Sequence, residues 1–431
     1  MKTLGLVAAG LLALLALLGL LAVGLYFAIK AVLAPVPGEW ATQVSLGGVK
    51  FQAGVPSLVR LATAPWLAPL LNGKTWSTHA GPVHFVWRTS SQTLALRCAP
   101  CTVRMPGLGT EPLVLGSVEL TVVHRLGDRL SGEVSSGKLR AQWQGQWQNQ
   151  LVKAKGANAK PGLKLQVQLP MTPIADAYAL LAASIPEVAQ AQIEGRFALT
   201  AAIKLPDGDL SLVPQHEGFQ VSGLGTQALA NAQSTCKPSS LNPESWLARA
   251  VLAAEDQRFY QHTGYDLAEF GDALTRNQEG KGIARGASTL TQQLAKLLIT
   301  GGERSPTRKL RELLYAQEME QTLGKNRILR LYLATAPWGK GLCGAEAAAQ
   351  HYFGRPAHQL SPTQAACLAA MLHNPGLEAS RWSDTGQVNV ARTQWVLLGM
   401  RPMSRSQRAK LAEEVPQLAW PAPSGRLIIQ D

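Results

Sequence analysis

The sequence contains little cysteine, five residues in 431. The closest pair, Cys98-Ala-Pro-Cys101, has a spacing that occurs in redox and zinc sites. However, no second CxxC or His pair completes a zinc site, and no thioredoxin-like βαβ pattern surrounds it. We therefore expect a local disulfide on an exported chain. A Cys236–Cys343 pairing is a second hypothesis, and it leaves Cys367 in an Ala/Leu-rich helix.

Low-complexity stretches are also scarce, and 46% of the residues are hydrophobic, which is typical of globular domains. A chain of this length can form two or three domains with real cores. The formal net charge of +13 would suit nucleic acid, anionic lipid or a phosphorylated substrate. Nucleic acid suits a membrane-tethered chain least, so we expect no nucleic-acid partner.

The sequence has one long apolar run, and it lies at the N-terminus. No charged residue occurs from Leu4 to Ile29, and a helix of that length measures about 39 Å, enough to cross a ~30 Å hydrocarbon core with some tilt. A cleaved signal peptide has a shorter apolar region of ~7–15 residues, although Ala31-Val-Leu-Ala34 resembles a cleavage site. We expect residues 1–34 to form a cytoplasmic tip and a single-pass transmembrane helix.

Residues 35–233 are predicted to form a β-rich antiparallel domain. Apolar and polar residues alternate in segments 117–123, 139–147 and 163–169, as in half-buried strands. A helix is expected at about 173–190, and a hairpin around Pro206-Asp207-Gly208. This region has no catalytic constellation, and Trp143 and Trp147 are interpreted as packing residues. It could be a spacer, a module that docks partners or a sheet that contacts lipid.

The character of the sequence changes at a Ser-, Pro- and Asn-rich linker, residues 234–245. Residues 246–431 are predicted to form an almost entirely helical domain. Apolar residues recur there at intervals of three and four, with Gly and Pro between the segments.

Three short motifs at the start of this domain carry the functional argument, although each has an ordinary explanation alone. Glu255-Asp256 could be a solvated helix end. Thr289-x-x-Gln292 is a capping box, and Glu312 could pair with nearby Arg or Lys. Their occurrence together, in order and at these spacings, is what needs explaining.

The motifs resemble those of the family-51 glycosyltransferases, in particular the monofunctional peptidoglycan transglycosylases. The first motif is met by Glu255, Asp256, Phe259, His262, Gly264 and Asp266. The second resembles residues 286–297, the third is Arg308, Lys309 and Glu312, and the fourth survives as Lys325, Ile328, Leu329, Tyr332 and Leu333. The resemblance covers roughly residues 242–400. No transpeptidase motif set follows.

The resemblance implies a lysozyme-like glycosyltransferase domain that polymerises lipid II into glycan strands, with inversion and release of the lipid diphosphate. It implies Glu255 as general base, and Glu312 as the second catalytic carboxylate, orienting cations or assisting the leaving group. The implied cations at the diphosphate are Lys296, Arg304, Arg308 and Lys309, and the other implied binding residues are Asp256, His262, Ser288, Gln292 and Gln293.

The same resemblance implies a bacterial inner-membrane location, with most of the chain in the periplasm. The expected partners are lipid II, the growing glycan strand, the bilayer and other cell-wall synthesis proteins docked on the β-rich domain. No cofactor is required and no protein metal site is expected, although Mg²⁺ or Mn²⁺ could bind at the diphosphate.

Four positions depart from the family pattern: Ala287, Leu297, Arg330 and Ala334. Arg330 inverts a charge and Ala334 removes an amide, so a second hypothesis is a catalytically weak relative that binds lipid II or glycan and scaffolds cell-wall proteins. A third is a lysozyme-like glycosidase, since paired carboxylates also serve hydrolysis. The cations spaced for a diphosphate argue against it.

Overall fold

The computed structural model describes residues 26–36, 39–46, 49–103, 111–123, 129–148, 161–206, 209–231, 236, 241–267, 288–302, 305–421 and 423, together with 21, 23 and 24. Most of the predicted anchor, at 4–29, falls outside these residues. Within them, none of the helices is both long and apolar enough to cross a membrane.

The chain divides into two compact units. The sheet unit comprises Met1–Thr102, Leu115–Thr172 and Ala198–Gln215, and the helical unit comprises Val103–Val114, Pro173–Phe197 and His216–Asp431. The helical unit therefore includes segments that precede the predicted linker. The predicted domain boundaries themselves stay a prediction.

The strands in chain order are β1 (Ala41–Leu46), β2 (Val49–Gly54), β3 (Thr75–Thr78), β4 (Gly81–Arg88), β5 (Thr93–Cys98), β6 (Cys101–Val103), β7 (Leu113–Leu115), β8 (Val118–Val123), β9 (Arg129–Ser136), β10 (Leu139–Gln148), β11 (Gly162–Pro173), β12 (Gln192–Leu205), β13 (Asp209–Ser222), β14 (Pro337–Gly339) and β15 (Leu342–Cys343). One sheet has the order β13-β12-β11-β10-β9-β8-β5-β4-β3. The pairings from β3 to β11 are antiparallel, as the sequence predicts.

Strand β10 illustrates how alternation builds this sheet. Trp143 and Trp147 are 7% exposed while the intervening glutamines face solvent, because successive side chains point to opposite faces. The two tryptophans belong to an apolar cluster with Leu130 and Leu163. Trp143 Nε1 also donates a hydrogen bond to the Thr121 carbonyl at 3.0 Å. Both tryptophans are packing residues, as predicted.

The helix predicted at about 173–190 is wrong in extent. The structure has a short helix at Ile174–Ala179 and a 3₁₀ turn at Pro186–Ala189. Proline disfavours a helical conformation at the residue before it, and Ile185 has φ −124° and ψ 89°. The predicted hairpin is present, since β12 and β13 are neighbours in the sheet. Its turn residues 207 and 208 lie outside the described residues.

Among the described residues from position 55 onward, the α-helices are α1 (Val55–Ala62), α2 (Ala68–Leu71), α3 (Ile174–Ala179), α4 (Trp246–Glu255), α5 (Leu290–Ala295), α6 (Pro306–Thr322), α7 (Gly324–Thr335), α8 (Ala345–Phe353), α9 (Pro362–Met371), α10 (Pro375–Thr385), α11 (Val390–Gly399) and α12 (Arg405–Glu414). Those from α4 onward confirm the predicted helical domain. Small apolar residues let α4 and α9 pack closely in its core, where Ala250 and Ala366 are fully buried.

The cysteines pair as the sequence suggested. Disulfides join Cys98 to Cys101 and Cys236 to Cys343. Cys367 is a buried free thiol in α9.

Candidate active site

A pocket of about 540 Å³ in the helical unit collects most of the predicted site residues. Those that line it are Glu255, Asp256, Ser288, Gln293, Lys296, Arg308, Lys309 and Glu312. They come from the end of α4, the start and end of α5, and the first turns of α6. Residues as far apart in sequence as Glu255 and Glu312 are therefore brought to one cavity.

Glu255 is the last residue of α4, and its side chain is 12% exposed. Its Oε2 accepts a hydrogen bond of 2.9 Å from Gln293 Nε2. Its Oε1 is buried and has no hydrogen-bond partner among the described residues, and Arg392 Nη2 lies 4.0 Å from it. One carboxylate oxygen is thus oriented, and the other has no hydrogen bond from the described residues.

The surroundings of Glu255 shift its acidity. Burial is the strongest influence and raises the pKa of the carboxyl above its ordinary value, because the charged form loses hydration. The Gln293 hydrogen bond and the charge of Arg392 oppose this shift without cancelling it. A carboxylate with a raised pKa is a stronger proton acceptor than a solvated one.

A second hydrogen bond fixes the group that orients Glu255. Tyr332 is 2% exposed, and its hydroxyl donates to Gln293 Oε1 at 3.1 Å. Burial and the nearby Glu255 charge raise the pKa of Tyr332 well above its ordinary value, so the hydroxyl stays protonated as a donor. The chain Tyr332–Gln293–Glu255 therefore has a defined direction and sets the rotamer of the carboxylate.

Asp256 organises the pocket wall. Its carboxylate accepts from the backbone N–H of Leu290 at 2.9 Å and contacts His262 Nε2 at 3.0 Å. The Leu290 bond ties Asp256 to the first turn of α5. Gly264, two residues beyond His262, has φ +92°, and a Cβ there would lie 2.9 Å from the Ala316 carbonyl. Glycine at this motif position is required by the backbone.

The opposing charges lie on α6. Glu312 is fully buried; it pairs with Arg308, one helical turn earlier, and with Lys309 Nζ at 2.9 Å. Lys309 also contacts Ser288 Oγ. Lys296, which begins a π-helical turn after α5, lines the same pocket. Glu312 thus holds two cations in fixed positions.

Three predicted binding residues are placed differently or not at all. His262 lies behind the wall, where it contacts Asp256 and its Nδ1 accepts from Gly264 N at 3.2 Å. Gln292 closes the predicted capping box with Thr289, so it is engaged with its own helix. Arg304 lies outside the described residues. The functional roles of all three stay predictions.

The pocket also contains residues that sequence reasoning missed. Arg392 from α11 and His373, just after α9, lie near Glu255 and act on its pKa. An Arg258–Asp266 pair with contacts of 2.7 and 2.6 Å braces the first motif. Arg392 and His373 both follow Glu255 by more than a hundred residues. His373 lies in segment 368–375, which resembles the family but was assigned no site role, whereas Arg392 stands in a segment of ordinary helical composition.

Of the residues that depart from the family pattern, most of those that the structure describes lie outside the pocket lining. Arg330 is exposed, and Ala334 is buried in α7; neither lines the cavity. Leu297 does line it and is 39% exposed. Ala287 lies outside the described residues.

The carboxylates of the pocket do not fit a protein-held metal ion. Glu312 already forms ion pairs with Arg308 and Lys309. Asp256 already accepts from Leu290 N and contacts His262. Among the described residues, no group of three or more His, Cys, Asp or Glu side chains could hold a metal ion. Binding of Mg²⁺ or Mn²⁺ at a bound diphosphate stays a prediction.

Fold and pocket together define a helical domain that combines an acid–base group with fixed cations. Residues 215–401 match a family model described as Transglycosylase. Relatives named biosynthetic peptidoglycan transglycosylase include those of Alcanivorax borkumensis, 57% identical over 133 residues (31% of this chain, 54% of the relative), and Thiobacillus denitrificans, 41% over 165 residues (38% and 71%). The chain belongs to the transglycosylase family.

The similarity covers only part of this chain and part of each of several relatives. The chain spans about half the length of several curated relatives it matches, as with Nitrosomonas eutropha at 53% of that protein. Most of the sheet unit precedes the family match, which begins at residue 215.

Proposed function

We propose that this protein is a peptidoglycan glycosyltransferase that polymerises lipid II into glycan strands. The observation that carries the proposal is Glu255, a largely buried carboxylate in the same pocket as Arg308 and Lys309. One of its oxygens accepts from Gln293, and the other has no hydrogen bond from the described residues. The relatives' printed name, biosynthetic peptidoglycan transglycosylase, supports the substrate class.

Glu255 would act as the general base. A sugar hydroxyl is a weak nucleophile, so its proton must be removed as the oxygen attacks the anomeric carbon of the donor. The unpartnered Oε1 would accept that proton while Gln293 holds Oε2 in place. Direct attack from the face opposite the leaving group converts the α-linked donor into a β-linked product.

The cations would stabilise the leaving group. As the anomeric C–O bond breaks, the lipid diphosphate gains negative charge, and fixed positive groups lower the energy of that transition state. Arg308, Lys309 and Lys296 line the pocket and would be these groups. Glu312 would keep the first two oriented, as a second catalytic carboxylate that works through them.

The location is part of the proposal: a bacterial inner membrane, with the apolar run Leu4 to Ile29 as anchor and the pocket on the periplasmic side. Lipid II stays in the bilayer, so an enzyme that uses it must work at the membrane surface. The two disulfides support an oxidising compartment. Other cell-wall synthesis proteins are proposed partners of the sheet unit.

The scaffold alternative draws on Arg330 and Ala334, and both lie outside the pocket lining. The glycosidase alternative needs no cations at the leaving group, whereas this pocket holds several. Neither alternative is favoured by a specific contact.

Labelled lipid II in liposomes, followed by product analysis, separates these functions. A glycosyltransferase gives long β-linked strands and releases one lipid diphosphate for each glycosidic bond that it forms. Short reducing sugars without polymer would indicate a glycosidase. Binding of lipid II with no product would indicate the scaffold.

A further inference from the structure

Helix α6 has two faces with different tasks. Arg308 and Glu312 point into the pocket, whereas Arg311 and Tyr315, three residues further along in each case, contact another part of the helical unit. Within each pair the two residues are four positions apart, and side chains at that interval lie along one side of a helix, so the two pairs form separate rows about 60° apart around it. The position of the pocket face therefore depends on what holds the other face.

That other face is held by residues of the helical unit from segments 173–197 and 216–226. Glu187, 4% exposed, accepts from Arg311 Nε at 2.8 Å and from the Tyr315 hydroxyl at 3.2 Å. Tyr178 donates to the Leu310 carbonyl at 3.1 Å. Further along, Glu318 accepts from the N–H groups of Leu224 at 2.7 Å and Thr226 at 3.0 Å. These contacts cover both halves of the helix.

An apolar cluster lies between these polar contacts. Leu314 of α6 is fully buried and packs with Ile185 and with Phe219 and Val221 of β13. The end of β13 also reaches the first motif, where the Tyr265 hydroxyl lies 2.8 Å from His216 Nδ1 and its ring 5.6 Å from that of Phe219. Asp266, the next residue, lines the pocket. The end of β13 thus contacts both α6 and the first motif, and each of these contributes residues to the pocket.

The charge of Glu187 matters beyond packing. Arg308 and Arg311 are three residues apart on α6, and like charges at this spacing repel. The Arg311 Nη2 to Glu187 Oε1 distance is 2.7 Å, so Glu187 neutralises the guanidinium that does not face the pocket. Glu312 remains committed to Arg308 and Lys309.

We propose that Glu187, in a segment that precedes the family match, is a positioning residue: through Arg311 and Tyr315 it fixes where α6 presents Arg308, Lys309 and Glu312 to the diphosphate. The proposal rests on the proposed function and gives part of the additional N-terminal region a task in catalysis.

The test uses the full chain in liposomes with lipid II and compares Glu187→Ala with Glu187→Gln. The alanine variant loses both contacts, and a misplaced catalytic group costs between ~ten- and a hundred-fold in rate. We expect that fall mainly in kcat, because the diphosphate charge develops in the transition state. Glutamine still accepts from Arg311 but does not neutralise its charge, so it should restore part of kcat. Glu194→Ala, an exposed glutamate in the same segment, is the matched control.

Hydrogen exchange on the same variants supplies a second readout. Glu187→Ala should speed exchange in α6 while leaving the core helix α9 unchanged. Unchanged kcat and α6 exchange would overturn the proposal, as would a uniform loss of protection with no rescue by glutamine. If the wild type makes no polymer, the proposed function fails, and the positioning role is judged by α6 exchange and by binding of a short polyprenyl diphosphate.

Discussion

The two compact units place their charged side chains differently. In the sheet unit, Arg140 and Glu133 pair at 3.2 Å with side chains 66% and 43% exposed. In the helical unit, Glu312 and Arg308 pair with side chains 1% and 9% exposed. Removing charges from water is costly unless partners compensate, so buried charge marks the unit where chemistry needs fixed charges. The sheet unit is stabilised by alternation and aromatic packing.

Glu312→Gln should give the largest effect. The change leaves Arg308 buried without its counter-charge, which typically costs about 3–5 kcal/mol, and it releases the cations proposed to hold the diphosphate. We expect polymerisation to fall below detection. Hydrogen exchange measures the opening free energy of each unit separately and should show the loss in the helical unit.

The matched change in the sheet unit is Glu133→Gln. An exposed pair contributes about 1 kcal/mol or less, so opening of the sheet unit should barely change. If Glu312→Gln and Glu133→Gln lowered the opening free energies of their units by the same amount, the proposed difference between buried and exposed charge pairs would be wrong.

The pH dependence of Glu255 should come next in size. Burial raises its pKa, so the rate should fall with decreasing pH at a value above the ordinary glutamate range, as the base becomes protonated. The same shift means that the native state binds this proton more tightly than the unfolded chain does. The stability contributed by the protonated form is therefore lost as pH rises through the folded pKa.

Glu255→Gln removes that titration. Its stability relative to the wild type should increase as pH rises, which thermal unfolding at several pH values can measure. A wild-type rate limb at the ordinary glutamate pKa would show that the carboxylate is solvated in solution.

Gly264→Ala should have an intermediate effect. Its φ of +92° and a Cβ only 2.9 Å from the Ala316 carbonyl predict a cost of about 1–3 kcal/mol and reduced activity. Gly116→Ala in the sheet unit meets open space and should change the opening free energy by about 0.5 kcal/mol or less. If Gly264→Ala and Gly116→Ala lowered the opening free energy equally, the backbone would not require glycine at position 264.

Tyr332→Phe should be the smallest change. It removes one hydrogen bond to Gln293, with a net value of about 1 kcal/mol, or roughly five-fold in rate if orientation of Glu255 depends on it. Tyr260→Phe, 55% exposed, is the control. If Tyr332→Phe polymerises lipid II at the wild-type rate, the orientation of Glu255 does not depend on Tyr332.

Much of this arrangement was predictable from local pattern. Alternation predicted β10 and β11, and three- and four-residue periodicity predicted the helices. A single helix over 173–190 does not form, because Pro186 disfavours a helical conformation at Ile185, an effect that apolar periodicity does not show.

The site was predictable only as far as its motifs reach. Glu255, Arg308, Lys309 and Glu312 stand in short conspicuous patterns, whereas Arg392 reaches the pocket from α11 through tertiary packing. A motif also does not separate ligand contact from support: His262 and Gln292 occupy motif positions, yet their side chains engage Asp256 and the Thr289 cap.

The central claim is that Glu255 is the base for glycan polymerisation. Its most direct test is the rate of lipid II polymerisation in liposomes by Glu255→Gln, beside Glu413→Gln, an exposed glutamate of α12 that does not line the pocket. Glutamine keeps the shape but cannot accept the proton, so we predict bound lipid II and no polymer, with wild-type strands from the control. Polymer made by Glu255→Gln at a rate near that of the wild type would contradict the account.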